Sequence, residues 1–133
     1  SPGTGLAIIG PGGGGLVGGG PVVLAGDETA YPAIARIMET LPDDVTGHVI
    51  LLSHTGARDY PFPECPNLIV HWTEKKGFVS ATRDALSATP ECHAWIAAER
   101  GQTGKITALA ELKDVPKSQR YVAGYWTSFK FEL

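Results

Sequence analysis

The chain has 133 residues, 43% hydrophobic and 19% charged, which suits a single globular domain with a real core. A net charge of −3 gives no electrostatic case for nucleic acid or for an anionic membrane surface, and the apolar runs are of strand length, too short for membrane insertion. No basic segment followed by an apolar stretch opens the chain, and Cys65 and Cys92 lack CxxC spacing, so they are expected to be reduced thiols of a cytoplasmic protein.

Residues 1–20 hold ten of the 17 glycines around one apolar patch, Leu6 to Ile9. Gly13, Gly15 and Gly18 satisfy GxGxxG. A strand pattern follows Gly20, however, and not the helix whose N-terminus would hold a pyrophosphate, so the match is set aside. The stretch reads as a glycine-rich lead-in or interdomain linker. Leu6 to Pro11 could also be the closing strand of a preceding unit.

From Pro21 onward the pattern is regular. Val22 to Ala25 is an unbroken apolar run, as expected of a strand buried on both faces. Gly26, Asp27 and Glu28 turn the chain, and Ala30, Ile34, Ile37, Met38 and Leu41 then follow the spacing of one helical face. Thr29 is the expected N-cap, with Pro32 tolerated in the first turn, where N–H groups lack intrahelical partners anyway. Further strands are expected at Val49 to Leu52, Leu68 to Trp72, His93 to Ala97 and Arg120 to Ala123. Residues 56–66 contain three prolines and cannot form a long helix. Phe78, Ala81, Thr82, Ala85 and Leu86 fit a short amphipathic helix ended by Pro90. Ile106, Leu109, Ala110 and Leu112 fit another, ended before Pro116. This alternation predicts a three-layer α/β/α fold on a five-stranded parallel sheet with right-handed crossovers.

Ligands of such sheets bind beyond the carboxyl ends of the strands. Those ends are Gly26-Asp27-Glu28-Thr29, Ser53-His54-Thr55-Gly56, Thr73-Glu74-Lys75-Lys76, Ala98-Glu99-Arg100-Gly101 and Gly124-Tyr125-Trp126. Polar, small and aromatic residues gather there while the strands are apolar. Asp27 and Glu28 do not make a phosphoacceptor site, because the third run ends without an aspartate and the fifth without a lysine. His48, His54, His71 and His93 lack metal-ligand spacing, and no serine sits in a GxSxG elbow. Thr73, Lys75 and Lys76 could grip a phosphate or form a solvated basic turn. Tyr125 and Trp126 could stack on a planar ring or close the core.

Three stretches carry a family resemblance: Ala25-Gly26-Asp27-Glu28-Thr29-Ala30-Tyr31-Pro32-Ala33-Ile34-Ala35-Arg36-Ile37, Ala94-Trp95-Ile96-Ala97-Ala98-Glu99 and Tyr121-Val122-Ala123-Gly124-Tyr125-Trp126. In order and spacing they resemble the C-terminal half of the siderophore-interacting protein family, flavin-dependent ferric-siderophore reductases of the ferredoxin-reductase superfamily. The resemblance implies that residues 21–133 form the NAD(P)H-binding domain and that 1–20 are a remnant of the end of a flavin-binding barrel, the missing partner domain. NADPH or NADH would lie across the strand ends and pass hydride to FAD, which would reduce Fe(III) in a ferric siderophore substrate. Carried onto this chain, Gly26, Asp27, Glu28, Thr29 and Ala30 line the nucleotide and flavin edge. Thr73, Lys75 and Lys76 take the place of a 2′-phosphate site. Ala97, Ala98 and Glu99 face the nicotinamide, and Tyr125 and Trp126 close the site, with Glu99 and Trp126 as the catalytic candidates. Alanine stands at position 98 where family members usually have glycine. After Trp126 the nearest cation is Lys130, the substrate-binding candidate. The chain alone is expected neither to hold flavin tightly nor to turn over, and a bound yellow chromophore would contradict that. A non-catalytic nucleotide- or partner-binding module of the same fold is the alternative.

Overall fold

The computed structural model describes residues 20–126. Residues 1–19, with the GxGxxG and the stretch expected to be a barrel remnant, and Lys130 lie outside them. Five strands, β1 (Val22–Gly26), β2 (Gly47–Leu52), β3 (Leu68–Thr73), β4 (His93–Glu99) and β5 (Arg120–Trp126), form one sheet in the order β3-β2-β1-β4-β5. Every neighbouring pair is parallel. Helices α1 (Tyr31–Thr40), α2 (Phe78–Ala88), α3 (Arg100–Thr107) and α4 (Ala110–Lys113) cover it. The three-layer α/β/α architecture is thus the one the sequence pattern implies.

Alternating side chains of the inner strands feed two cores. Val22, Leu24, Val49, Leu51, Trp95 and Ala97 meet Tyr31, Ile34, Ile37 and Met38 of α1. Val23, Ala25, Ile50, Leu52, Ile96 and Ala98 meet Phe78, Leu86, Ile106 and Leu112 from the other three helices. Burial on both sides explains why the strands read as continuous apolar runs and not as alternation. The link from β2 to β3 has no helix. Tyr60 and Phe62 of that loop pack edge-on against Tyr31, with centroids 5.4 and 5.3 Å away, and substitute for a helix on the α1 face. Crossovers on this face step outward through β2 to β3, and those on the opposite face step back through β4 to β5. A constant crossover hand requires that change of face.

Two glycines admit close approach. Gly47 has φ +147°, and a Cβ there would lie 2.0 Å from the Val22 carbonyl oxygen. A Cβ on Gly26 would lie 2.8 Å from the Ala97 oxygen and 2.7 Å from the Ala30 Cβ, so Gly26 seats the turn against β4.

Three sequence expectations change. Thr29 is not the helix cap: Asp27 caps a 3-10 turn over Glu28–Ala30, and its carboxylate accepts from the Thr29 N–H. That turn runs straight into α1, leaving Ala30 before the helix. The single helix expected around 106–112 is two, broken where Leu109 turns extended (φ −72°, ψ 136°). The strands also run further than their apolar cores, because Gly26, Ala98, Glu99 and Gly124 to Trp126 continue the ladder. Among the described residues no helix is long and apolar enough to cross a membrane.

Candidate functional site

With β1 central and its crossovers leaving in opposite directions, the strand order reverses between β1 and β4. The crevice above such a point is the usual ligand position in an open α/β sheet. The turn after β1 therefore decides what the crevice contains.

Asp27 leaves β1 in extended geometry (φ −98°, ψ −170°) and is fully buried. A buried carboxylate persists where donors replace its water, and here they come from three strand ends. One oxygen, Oδ1, accepts from the Thr29 N–H (3.0 Å) and hydroxyl. The other, Oδ2, accepts the Glu99 backbone N–H at 3.0 Å and the Trp126 indole Nε1–H at 2.8 Å. Asp27 thus ties β1 to the ends of β4 and β5. A register shift at Ala98/Glu99 sets Glu99 opposite Trp126, bringing both groups to the same oxygen.

The neighbouring carboxylate does different work. Glu28 Oε1 lies 2.7 Å from His54 Nδ1, and Oε2 accepts the His54 backbone N–H, clamping the end of β2 to the same turn. Burial pushes the Glu28 carboxyl up, but the side-chain and backbone hydrogen bonds from His54 outweigh it and hold the group below its ordinary value. The His54 ring in turn meets the Trp126 indole at a 5.9 Å centroid distance and 68°. Below them the Tyr31 hydroxyl donates to the Leu52 carbonyl at 2.7 Å. Burial, then the charges of Glu28 and Asp27, push that phenol upward.

The sequence candidates thus fall into two groups. Asp27, Glu28, Thr29, Glu99 and Trp126 come together at the crevice. Glu99 also accepts the Gln102 N–H at 3.2 Å, capping α3. Ala97 and Ala98 are buried in opposite cores, so only their backbone faces the crest, and the methyl of Ala98 points into the α2–α3 layer instead of the crevice. Gly26 and Ala30 are packing residues beneath the turn. Thr73, Lys75 and Lys76 stand apart, two strands out at the end of β3. The Thr73 hydroxyl donates to the Leu51 carbonyl at 3.3 Å, and both lysines are exposed just before α2. Tyr125 is 42% exposed and meets Trp95 edge-on at 6.2 Å, on the α1 face.

Two crest residues carry no sequence pattern that singles them out. His54 lacks metal-ligand spacing, and only its place at a strand end points to it. Arg100 opens α3 and is exposed, with its stem packed where a Cβ on Gly124 would lie, 2.5 Å from Arg100 Cγ. Away from the crest, His48 Nδ1 and His71 Nε2 lie 3.0 Å apart on β2 and β3. Burial, then the charge of His71, pulls His48 down. A groove of about 290 Å³ lies at the opposite end of the sheet, between the end of α1 and the start of β3.

An open parallel sheet whose reversal point is rimmed by polar turns defines a doubly wound α/β domain. The siderophore-interacting protein family model matches residues 21–128, and the chain belongs to that family. It is similar in fold to the siderophore-interacting protein of Acinetobacter baumannii (TM-score 0.70, 22% identity, 90% of this chain and 53% of that one). It is also similar to SipS of Aeromonas hydrophila (TM-score 0.69, 21% identity, 86% and 48%). In sequence it is 30% identical over 109 residues to the mycobactin import ATP-binding/permease protein IrtA of Mycolicibacterium smegmatis, covering 79% of this chain and 13% of that protein. The chain thus spans about half the length of the solved relatives, 48% and 53%, and a small part of the importer.

Proposed function

We propose that the domain serves siderophore utilisation as the NAD(P)H-binding half of a flavin-dependent ferric-siderophore reductase. The observation that carries this is the convergence of the β1, β4 and β5 ends on one buried carboxylate, beneath an indole, in a member of the siderophore-interacting family.

The residues of the crest fit an extended dinucleotide. From β3 to β5 there are four interstrand steps, about 19 Å. At one end stand the exposed Lys75 and Lys76, at the other the backbone of Ala97 and Ala98 and the Trp126 ring. When bound, reduced nicotinamide supplies hydride and flavin the single-electron steps to iron. The chain's own part is position and charge. Lys75 and Lys76 would hold a 2′-phosphate, with Thr73 beside them. Asp27 holds the Glu99 backbone and Trp126 in register, and Trp126 keeps water from the crevice until a second ring takes its place. FAD would sit chiefly on the flavin-binding barrel, and the ferric siderophore would approach from that side, with Lys130 as its candidate cation.

A non-catalytic binding module of the same fold is the second reading. The Asp27–Trp126 bond favours it, because the crevice is filled by the chain's own side chain.

Titrating the full chain with NADPH and NADH, monitored by tryptophan fluorescence, separates the reductase half from a partner-binding module that holds no nucleotide. Saturable binding that favours NADPH, with the preference lost in Lys75→Ala/Lys76→Ala, is expected. Binding of neither nucleotide would overturn the reductase assignment.

A further inference from the structure

Trp126 is held at two points, and both trace back to the same turn. Its Nε1–H is fixed by Asp27, and its ring is braced by His54. His54 is exposed and would otherwise have no reason to stay put, but Glu28 grips it through both the backbone N–H and Nδ1. Adjacent acids thus share the hold on one side chain. Asp27 fixes the edge of the indole, and Glu28 fixes the ring that braces it.

We propose that His54, tethered by Glu28, is a positioning residue for Trp126, and that this brace sets how readily the indole leaves the crevice for an incoming planar ring. The identity of that ring, a nicotinamide, rests on the function proposed above; the brace itself does not. His54 touches no reacting atom and acts only through Trp126. Loss of one edge-to-face contact changes the opening equilibrium by about three- to tenfold. Because a ligand that needs the open state binds in proportion to its population, NADPH affinity should rise by a similar factor. Asp27 is untouched, so global stability should barely move: the pair is partly exposed, and surface ion pairs contribute little.

The test uses the full chain with ¹⁵N-labelled tryptophan, in the wild type and in His54→Ala, Glu28→Ala and the double variant. The Trp126 indole N–H signal reports on the brace without any ligand. Hydrogen exchange of that N–H should accelerate about three- to tenfold in each single variant and no further in the double, since the two residues act as one unit. Thermal midpoints should stay close to wild type. An unchanged exchange rate in His54→Ala overturns the proposal, as does a double variant that adds the two effects. A released indole with unchanged NADPH affinity overturns the control of ring entry. If no form binds NADPH while the indole is still released, the brace is upheld and the nucleotide assignment falls.

Discussion

Replacing Asp27 tests whether the crest is one cooperative structure or a set of separate loop ends. In Asp27→Ala the Thr29 N–H, the Glu99 N–H and the Trp126 indole N–H all lose their acceptor. An orphaned buried donor costs about 1–3 kcal/mol. Thr29 is exposed, so water rescues its amide and that loss is small. Glu99 and Trp126 are only partly accessible and set most of the cost, about 3–4 kcal/mol in all. Asp27→Asn should behave differently. Its oxygen can face Glu99 and Trp126 while its amide faces Thr29, whose hydroxyl can turn to accept. Only the Thr29 N–H is then left against a donor, for about 1–2 kcal/mol. Urea unfolding followed by circular dichroism reads both, with an unchanged m-value required for the comparison. An alanine variant within about 1 kcal/mol of wild type would refute the description of Asp27 as the tie between β1, β4 and β5. So would equal losses in the two variants.

Other consequences are simpler to check. Gly47→Ala places a methyl 2.0 Å from the Val22 carbonyl at φ +147°, so β1 and β2 must separate. A loss of at least about 3 kcal/mol is expected, and a midpoint close to wild type in urea would contradict it. The folded-state pKa of Glu28 is depressed, so its contribution to stability is present above the unfolded carboxyl value and is lost as pH falls through the folded one. Glu28→Gln should accordingly lower stability slightly at neutral pH, converge with the wild type in acid and so flatten the acid limb of the stability–pH curve, as followed by thermal melts across pH. The Cys92 thiol is buried and pushed up to about 11, whereas Cys65 is only partly buried. Iodoacetamide at neutral pH should alkylate Cys65 first and leave Cys92 unmodified until unfolding, as read by peptide mass spectrometry.

The inner strands were legible because burial on both faces leaves no room for polar residues, and α1 was legible because one of its faces meets the sheet. What hid the rest was polar side chains doing interior work. α3 has the sequence Arg-Gly-Gln-Thr-Gly-Lys-Ile-Thr, with no apolar stripe, yet Gln102 and Thr103 are buried beside Ile106. Its start is fixed by the Glu99 carboxylate, and Thr103 and Thr107 return hydroxyl protons to carbonyls of Arg100 and Thr103. A pattern search for apolar spacing finds only its last turn and merges that with α4. The acidic turn misleads in the same way. Asp27 and Glu28 look like equivalent exposed acids, but their roles depend on partners 72 and 26 residues away in the chain. Strand order brings those partners near, since β2 and β4 flank β1 on either side. A residue on the turn of the central strand can therefore reach both neighbours, and two consecutive acids split them: Asp27 takes β4 and the end of β5, and Glu28 takes β2. Position in the sheet order, more than residue type, assigns each carboxylate its work.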